Sequence, residues 1–154
     1  MPSKLSKPAR IFAAIAAFAF SASFAAVWNA DQVRAAAAVD FKTFMTSTVG
    51  PAVQPLWDNG YKDNLTDTDW RDMQQGVARL QASMAAITSG GTVAAEQARA
   101  KTPMWQDWTK KMGEQVAAAK AAVDKKDQMG VATAGDNLVE ICGGCHADFD
   151  PAAK

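Results

Sequence analysis

The sequence WRDMQQGVARLQASMAAI, residues 70–87, decides the fold class of this chain. Its apolar positions recur in alternating steps of three and four residues, which is the spacing of one face of an α-helix. These positions are Trp70, Met73, Val77, Leu80, Met84 and Ile87. We expect this face to pack against other helices along its whole length. Thr66 or Asp67 is suited to cap the start of the helix, and Gly90-Gly91 ends it.

Sequences on both sides of this helix repeat the helical spacing, and no stretch shows the period-two alternation that a half-buried strand requires. A first helix is predicted over about residues 39–58, kinked or interrupted at Gly50-Pro51. A third is predicted from Thr102-Pro103 to about Lys126, and a fourth over about residues 128–148, with a short helix in the connector AAEQARA. The sequence therefore predicts an all-α domain, most simply an antiparallel four-helix bundle.

Composition limits the chain to one packed domain and excludes one class of partner. Of the 154 residues, 49% are hydrophobic, which is enough for a single core. Sixteen basic and sixteen acidic residues cancel, and no basic stretch is interleaved with aromatic residues. We therefore expect no nucleic-acid partner.

The N-terminus has the pattern of an export signal. MPSKLSKPAR carries three positive charges and no acid, and residues 11–28 contain no charged residue. A retained membrane anchor is the alternative, but the many small residues favour cleavage, either after Ala25 or as late as residue 38. We expect a signal over residues 1–26, a mildly acidic folded domain over residues 39–150, a periplasmic location and no stable membrane span after cleavage.

The chemistry is carried by Cys142-Gly143-Gly144-Cys145-His146, which has the C-x-x-C-H pattern of covalent haem attachment. Each thiol can add to one vinyl group of the same porphyrin, and the imidazole next to Cys145 then supplies the proximal ligand to iron. The positions Val131, Gly135, Leu138, Cys142 and Cys145 share one helical face. We therefore expect one haem c per chain, attached on the inner face of the last helix near its C-terminal end.

Two cysteines at this spacing can also serve three different kinds of site, and each fits this chain less well. A thioredoxin-type redox pair opens a helix after a strand, and no strand is predicted. A structural zinc site needs four protein ligands, whereas the chain has two cysteines and one histidine. A plain disulfide leaves unexplained why His146 directly follows Cys145. The motif, the export signal and the helical setting together favour haem.

With the motif near the C-terminus of an exported helical chain, residues 39–149 resemble the class II c-type cytochromes, which include cytochrome c prime and its low-spin relatives. The run F-M-x-x-x-V-x-P-A-x-x-x-L-W over residues 44–57 resembles the first helix of small proteobacterial members, and Phe149 keeps the usual aromatic. Many cytochromes c prime carry a lysine and an arginine where this chain has Gly143 and Asp150. These departures weigh against gas-responsive proximal chemistry.

The resemblance implies a sixth iron ligand in the first helix, and Met45 is the residue at that position. A thioether there gives low-spin iron suited to electron transfer. The alternative is a vacant sixth position, which would make the protein a gas-binding haem protein for nitric oxide or carbon monoxide.

We expect the tryptophans and the other methionines to be packing residues; these methionines include Met73, Met84, Met104, Met112 and Met129. Phe41, Phe44 and Val49 are expected to shield the haem from water.

The expected function is electron transfer between periplasmic redox partner proteins, and the resemblance leaves a homodimer open. No enzyme is expected, because no paired carboxylates, second histidine or serine–histidine pair accompanies the motif.

Overall fold

The computed structural model describes residues 40–150. The predicted export signal over residues 1–26, with its possible cleavage sites, lies outside this range. Residues 40–150 are helical and contain no strand, which confirms the all-α class. The helices are α1 (Phe41–Phe44), a π-helical turn (Met45–Val49), α2 (Gly50–Gly60), α3 (Asp67–Ser89), α4 (Ala94–Ala100), α5 (Pro103–Asp124) and α6 (Gln128–Phe149).

The first predicted helix is interrupted close to Gly50-Pro51, as expected. The interruption takes the form of the π-helical turn, in which the Gly50 N–H donates to the carbonyl oxygen of Met45. Pro51 has no N–H and its ring would collide with the carbonyl of Ser47, so a regular α-helix cannot continue through this point undisturbed. The turn accommodates the proline and places Met45 at the junction between α1 and the rest of the helix.

Side-chain caps set the starts of the long helices. The Thr66 hydroxyl accepts from the N–H of Asp69, and the Asp69 carboxylate accepts from the N–H of Thr66, which is a capping box at the start of α3. At the start of α5, the Thr102 hydroxyl accepts from the N–H of Trp105. Gly90 ends α3 in the left-handed conformation, at φ 73°. The predicted caps of these two helices and the predicted end of α3 are confirmed.

Each long helix packs on two others. The main contacts of α2 are with α3 and α6, and those of α5 are also with α3 and α6. Of the stripe predicted on α3, Met73 and Leu80 are fully buried and only Met84 is partly exposed. The core therefore runs along the face that the periodicity indicates.

Some packing predictions are wrong. Met104 and Met129 are 54% and 72% exposed, and Trp57 is 38% exposed. Met104 is the neighbour of the buried Trp105, and successive helical residues point in different directions, so Met104 is turned towards solvent. Trp57 instead lies across α6, where its Nε1–H donates to the carbonyl oxygen of Gly135 over 3.1 Å.

Within residues 40–150, no helix is both long enough and apolar enough to cross a membrane.

Candidate functional site

One cavity brings together the residues that the sequence analysis selected. Met45, Cys142, Cys145 and His146 all line it, although Met45 is far from the other three along the chain. The empty volume is about 1140 Å³, part of it open to solvent. Its wall also includes Phe41, Lys42, Thr46, Ile87, Glu96, Arg99, Trp105, Trp108, Thr109, Met112, Ile141, Phe149 and Asp150.

An aromatic row forms one side of the cavity. The ring of Trp105 lies 5.3 Å from that of Phe41 and 5.0 Å from that of Phe149, measured between centroids. The Nε1–H of Trp105 donates to the carbonyl oxygen of Ile87 over 3.0 Å, which fixes the indole. Pairs at these separations stabilise each other beyond the area they bury. The row gives the cavity a rigid apolar wall.

Charged side chains lie at another part of the wall. Lys42, Glu96, Arg99 and Asp150 contribute to it, and Nη1 of Arg99 donates to the carbonyl oxygen of Phe149 over 3.5 Å. One carboxylate oxygen of Glu96 is buried and has no hydrogen-bond partner among residues 40–150. Buried polar atoms without a partner are rare, and this one belongs to a residue that lines the cavity. The cavity therefore combines apolar walls with a charged edge.

The C-x-x-C-H motif is fully helical and lies inside α6. Cys142 and Cys145 are partly buried and are not joined by a disulfide, whereas His146 is exposed. Cys142 and Cys145 are three residues apart in the helix, so their side chains lie near each other on one face. Both thiols and the imidazole therefore face a common space.

The two thiols are held in the neutral form at physiological pH. Burial raises the pKa of Cys142, and burial, followed by the nearby Cys142 and Asp148, raises the pKa of Cys145 to about 11. Redox-active C-x-x-C pairs have lowered pKa values, because the thiolate is the nucleophile. The raised pKa values of Cys142 and Cys145 differ from that pattern.

A second methionine also lines the cavity, and sequence reasoning missed it. Met112, expected to be a packing residue only, is 5% exposed and belongs to the core while contributing to the cavity wall.

Phe41 lines the cavity as expected, but Phe44 and Val49 are buried in the core at 1% and 3% exposure and are not part of the wall. Spacing along residues 41–49 could not distinguish Phe41 from Phe44 and Val49, since all three lie on or beside one stripe.

Within the described residues, no group of three or more histidine, cysteine, aspartate or glutamate side chains is arranged to hold a metal ion. The donor set of the cavity is instead two thiols, one imidazole and thioethers, surrounded by aromatic and aliphatic side chains. Thiols that can bond to vinyl groups, with an imidazole beside them, fit a covalently attached haem. The residues present therefore suit the group that the motif implies.

Comparison with known proteins adds no family to these observations. No protein-family model, no curated protein and no solved structure matches this chain. The function is therefore inferred from the residues that line the cavity.

Proposed function

We propose that this chain is an exported c-type cytochrome of the class II type, which transfers electrons between redox partner proteins in the periplasm. One haem c is bound by Cys142 and Cys145, with His146 as the proximal iron ligand and Met45 as the sixth. The observation that carries the proposal is that one cavity collects all four of these side chains. Cys142, Cys145 and His146 are near neighbours in one helix, so the informative part is that Met45, which is distant in sequence, lines the same cavity.

We also propose an antiparallel four-helix bundle as the architecture that holds the haem. The cavity is lined by the start of α1, the end of α3, the start of α5 and the end of α6. Starts and ends alternate around the cavity, which is what an up-down-up-down arrangement produces. In this proposal, residues 41–60 together form the first helix of the bundle, and α4 belongs to the connection between the second and the third.

In this proposal, some residues of the cavity hold the haem and others shield it from water. Haem iron supplies one-electron chemistry between its ferric and ferrous states. Cys142 and Cys145 hold the group covalently, so it cannot be lost, and the imidazole of His146 provides the proximal nitrogen. The aromatic row of Phe41, Trp105 and Phe149 excludes water from one side.

Met45 is a better sixth ligand than Met112 because of the helices that carry them. The α5 helix, with Met112, packs directly against α6, so Met112 adjoins the wall that carries His146. The π-helical turn, with Met45, has its main contacts with α1, α2 and α3. A sixth ligand would have to come from a wall of the cavity other than the one that carries His146. Met45 therefore reaches the cavity from a wall that is separate from α6, as a sixth ligand must.

Covalent attachment is tested by mass spectrometry of the periplasmic protein, produced with the machinery for haem ligation. We expect a mass increase of one haem that persists after denaturation and acid–organic extraction. The matched variants Cys142→Ser and Cys145→Ser should each leave the haem attached by a single thioether or lose it. A disulfide between Cys142 and Cys145 in the periplasmic protein, with no added mass, would contradict the proposal.

The ligand assignment is tested by absorption spectra of three proteins. The parent should be six-coordinate and low-spin, with a charge-transfer band in the near infrared that is typical of methionine–ferric haem. Met45→Ala should become high-spin and bind carbon monoxide when reduced, whereas Met112→Ala should keep the parent spectrum. The opposite result would assign Met112, and a parent that is already high-spin would make gas binding the function.

A further inference from the structure

The two glycines of the motif have very different surroundings. A Cβ atom built on Gly143 would meet nothing within 4 Å. One built on Gly144 would lie 3.0 Å or less from three ring atoms of Trp108, Cη2, Cζ2 and Cζ3. Real Cβ atoms are not found so close to ring carbons, because the dense packing of protein interiors leaves no room for overlap. Position 144 therefore has to be glycine because Trp108 leaves no room for a side chain, whereas position 143 has space for one.

Trp108 is held in place from two sides. Its Nε1–H donates to Oδ2 of Asp148 over 2.8 Å, and Nζ of Lys111 lies 4.8 Å from the ring centroid, within the range of a cation–π contact. Lys111 is itself paired with Asp107 over 2.7 Å. An indole ring is rigid, so it cannot move away from Gly144 unless its hydrogen bond to Asp148 breaks. These contacts connect the first turns of α5 to the last turns of α6.

We infer that Trp108 is a positioning residue for the haem-binding turn of α6. It touches the helix at Gly144 and at Asp148, which are two residues before and two residues after His146. Contacts on both sides of His146 fix the rotation of this part of α6 about its axis. That rotation decides how Cys145 and His146 face the cavity, which Trp108 also lines. The inference rests on the proposed haem site and adds a residue outside the C-x-x-C-H pattern to it.

The test compares Gly144→Ala with Gly143→Ala in the holoprotein. Alanine favours the helix equally at both positions, so the two variants differ mainly in the encounter with Trp108. Gly143→Ala should match the parent in the fraction of chains that carry haem, in reduction potential and in the electron paramagnetic resonance of the low-spin ferric form. Gly144→Ala should lose severalfold in haem attachment and show a shifted potential and resonance.

Removing the indole should reverse the effect of the added methyl group. The double variant Trp108→Ala with Gly144→Ala should recover attachment relative to Gly144→Ala alone, because the space is free again. Trp108→Phe keeps a ring over Gly144 but cannot donate to Asp148, so it should shift the potential and the resonance while keeping the haem. A loss of stability alone would not shift the potential and the resonance of a Trp108→Phe protein that still carries its haem.

Two negative results of these experiments would have different meanings. If the parent carries haem and the two alanine variants have the same attachment, potential and resonance, Trp108 has no positioning role, while the proposed function stands. If the parent itself carries no covalent haem, the proposed function is refuted, and the role of Trp108 in a haem-binding turn is refuted with it.

Discussion

The two ends of this helical domain are packed in different ways. At the closed end, α2, α3 and α6 approach closely: a Cβ on Gly76 would lie 2.5 Å from the carbonyl oxygen of Ala52, and one on Gly60 would lie 3.1 Å from Cα of Ala132. At the cavity end, large side chains such as Trp105 and Trp108 line a space between the helices that stays open.

Residue size explains the difference. Glycine and alanine at helix contacts let the backbones approach closely, whereas large side chains at a contact keep the helices further apart. A chain that had no use for the cavity would gain stability by filling it, because unfilled space forfeits packing contacts. The cavity end thus has the composition of a binding site, and the closed end has that of a structural support.

The largest expected effect comes from placing a charge in the core between the two ends. Leu80 is fully buried, so Leu80→Asp should lower the free energy of unfolding by about 3–5 kcal/mol, through an unpaired buried charge. Urea unfolding followed by circular dichroism measures this. The control is Gln81→Asp, an exposed neighbour on α3, which should stay within about 0.5 kcal/mol of the parent. Equal loss in both variants would mean that the α3 stripe does not form the core.

Substitutions of two methionines should distinguish a loss of stability from a loss of iron ligation. Met73 is fully buried near the closed end, so Met73→Ala should cost about 2–5 kcal/mol and leave the haem spectrum unchanged. Met45 is only partly buried and lines the cavity, so Met45→Ala should cost less through packing but change the spectrum. Both variants are followed by urea unfolding and by absorption. A change of spectrum in Met73→Ala would show that the two ends are not independent.

Glycine substitutions should reveal how tightly the closed end is packed. Gly76→Ala forces a methyl group against the Ala52 carbonyl, a backbone atom that cannot move alone, and should destabilise by about 1–3 kcal/mol. Gly113→Ala meets only Cε of Met84 at 3.6 Å, an ordinary contact, and should gain up to about 1 kcal/mol from helix propensity. Thermal or urea unfolding gives both values. A gain at both positions would show that α2 and α3 are not in close approach.

Helix positions could be predicted from the sequence because their signals are local. The stripe from Trp70 to Ile87, the cap at Thr66 and the glycine stop at Gly90 depend on residues within a few turns of each other. The interruption at Gly50-Pro51 was also predictable from the missing N–H of proline. Its π-helical form was not, because which carbonyls are bridged depends on how the whole segment packs.

The selected site residues could be chosen from motif and resemblance, but the rest of the cavity could not. Glu96 and Arg99 reach it only because α4 folds back towards the end of α6, and no periodic pattern in that connector indicates this. The requirement for glycine at position 144 is likewise set by Trp108 on another helix. Such contacts depend on tertiary packing, which a single sequence does not specify residue by residue.

The smallest expected effect is a difference in how far acid lowers the stability of two variants. The variants change Asp69 and Asp40, which cap helices at opposite ends of the domain. Asp69, 9% exposed, caps α3 at the closed end, and hydrogen bonds from Lys62 and then Thr66 lower its pKa from 3.8 to about 2. Asp40 caps α1 at the cavity end, where hydrogen bonds from Thr43 lower its pKa as well, but it is exposed and no lysine pairs with it among residues 40–150.

A carboxylate whose pKa is lower in the folded state binds protons more readily when unfolded, so it stabilises the fold at neutral pH. For Asp69 this contribution is complete above the unfolded pKa near 3.8 and is lost as the pH falls towards about 2. Unfolding free energies measured from pH 6 to pH 2 should therefore fall less steeply for Asp69→Asn than for the parent. Asp40→Asn should follow the parent more closely, because asparagine caps a helix about as well as aspartate and no ion pair is lost. Equal flattening in both variants would assign the acid sensitivity to helix capping in general, and not to the Lys62–Asp69 pair at the closed end.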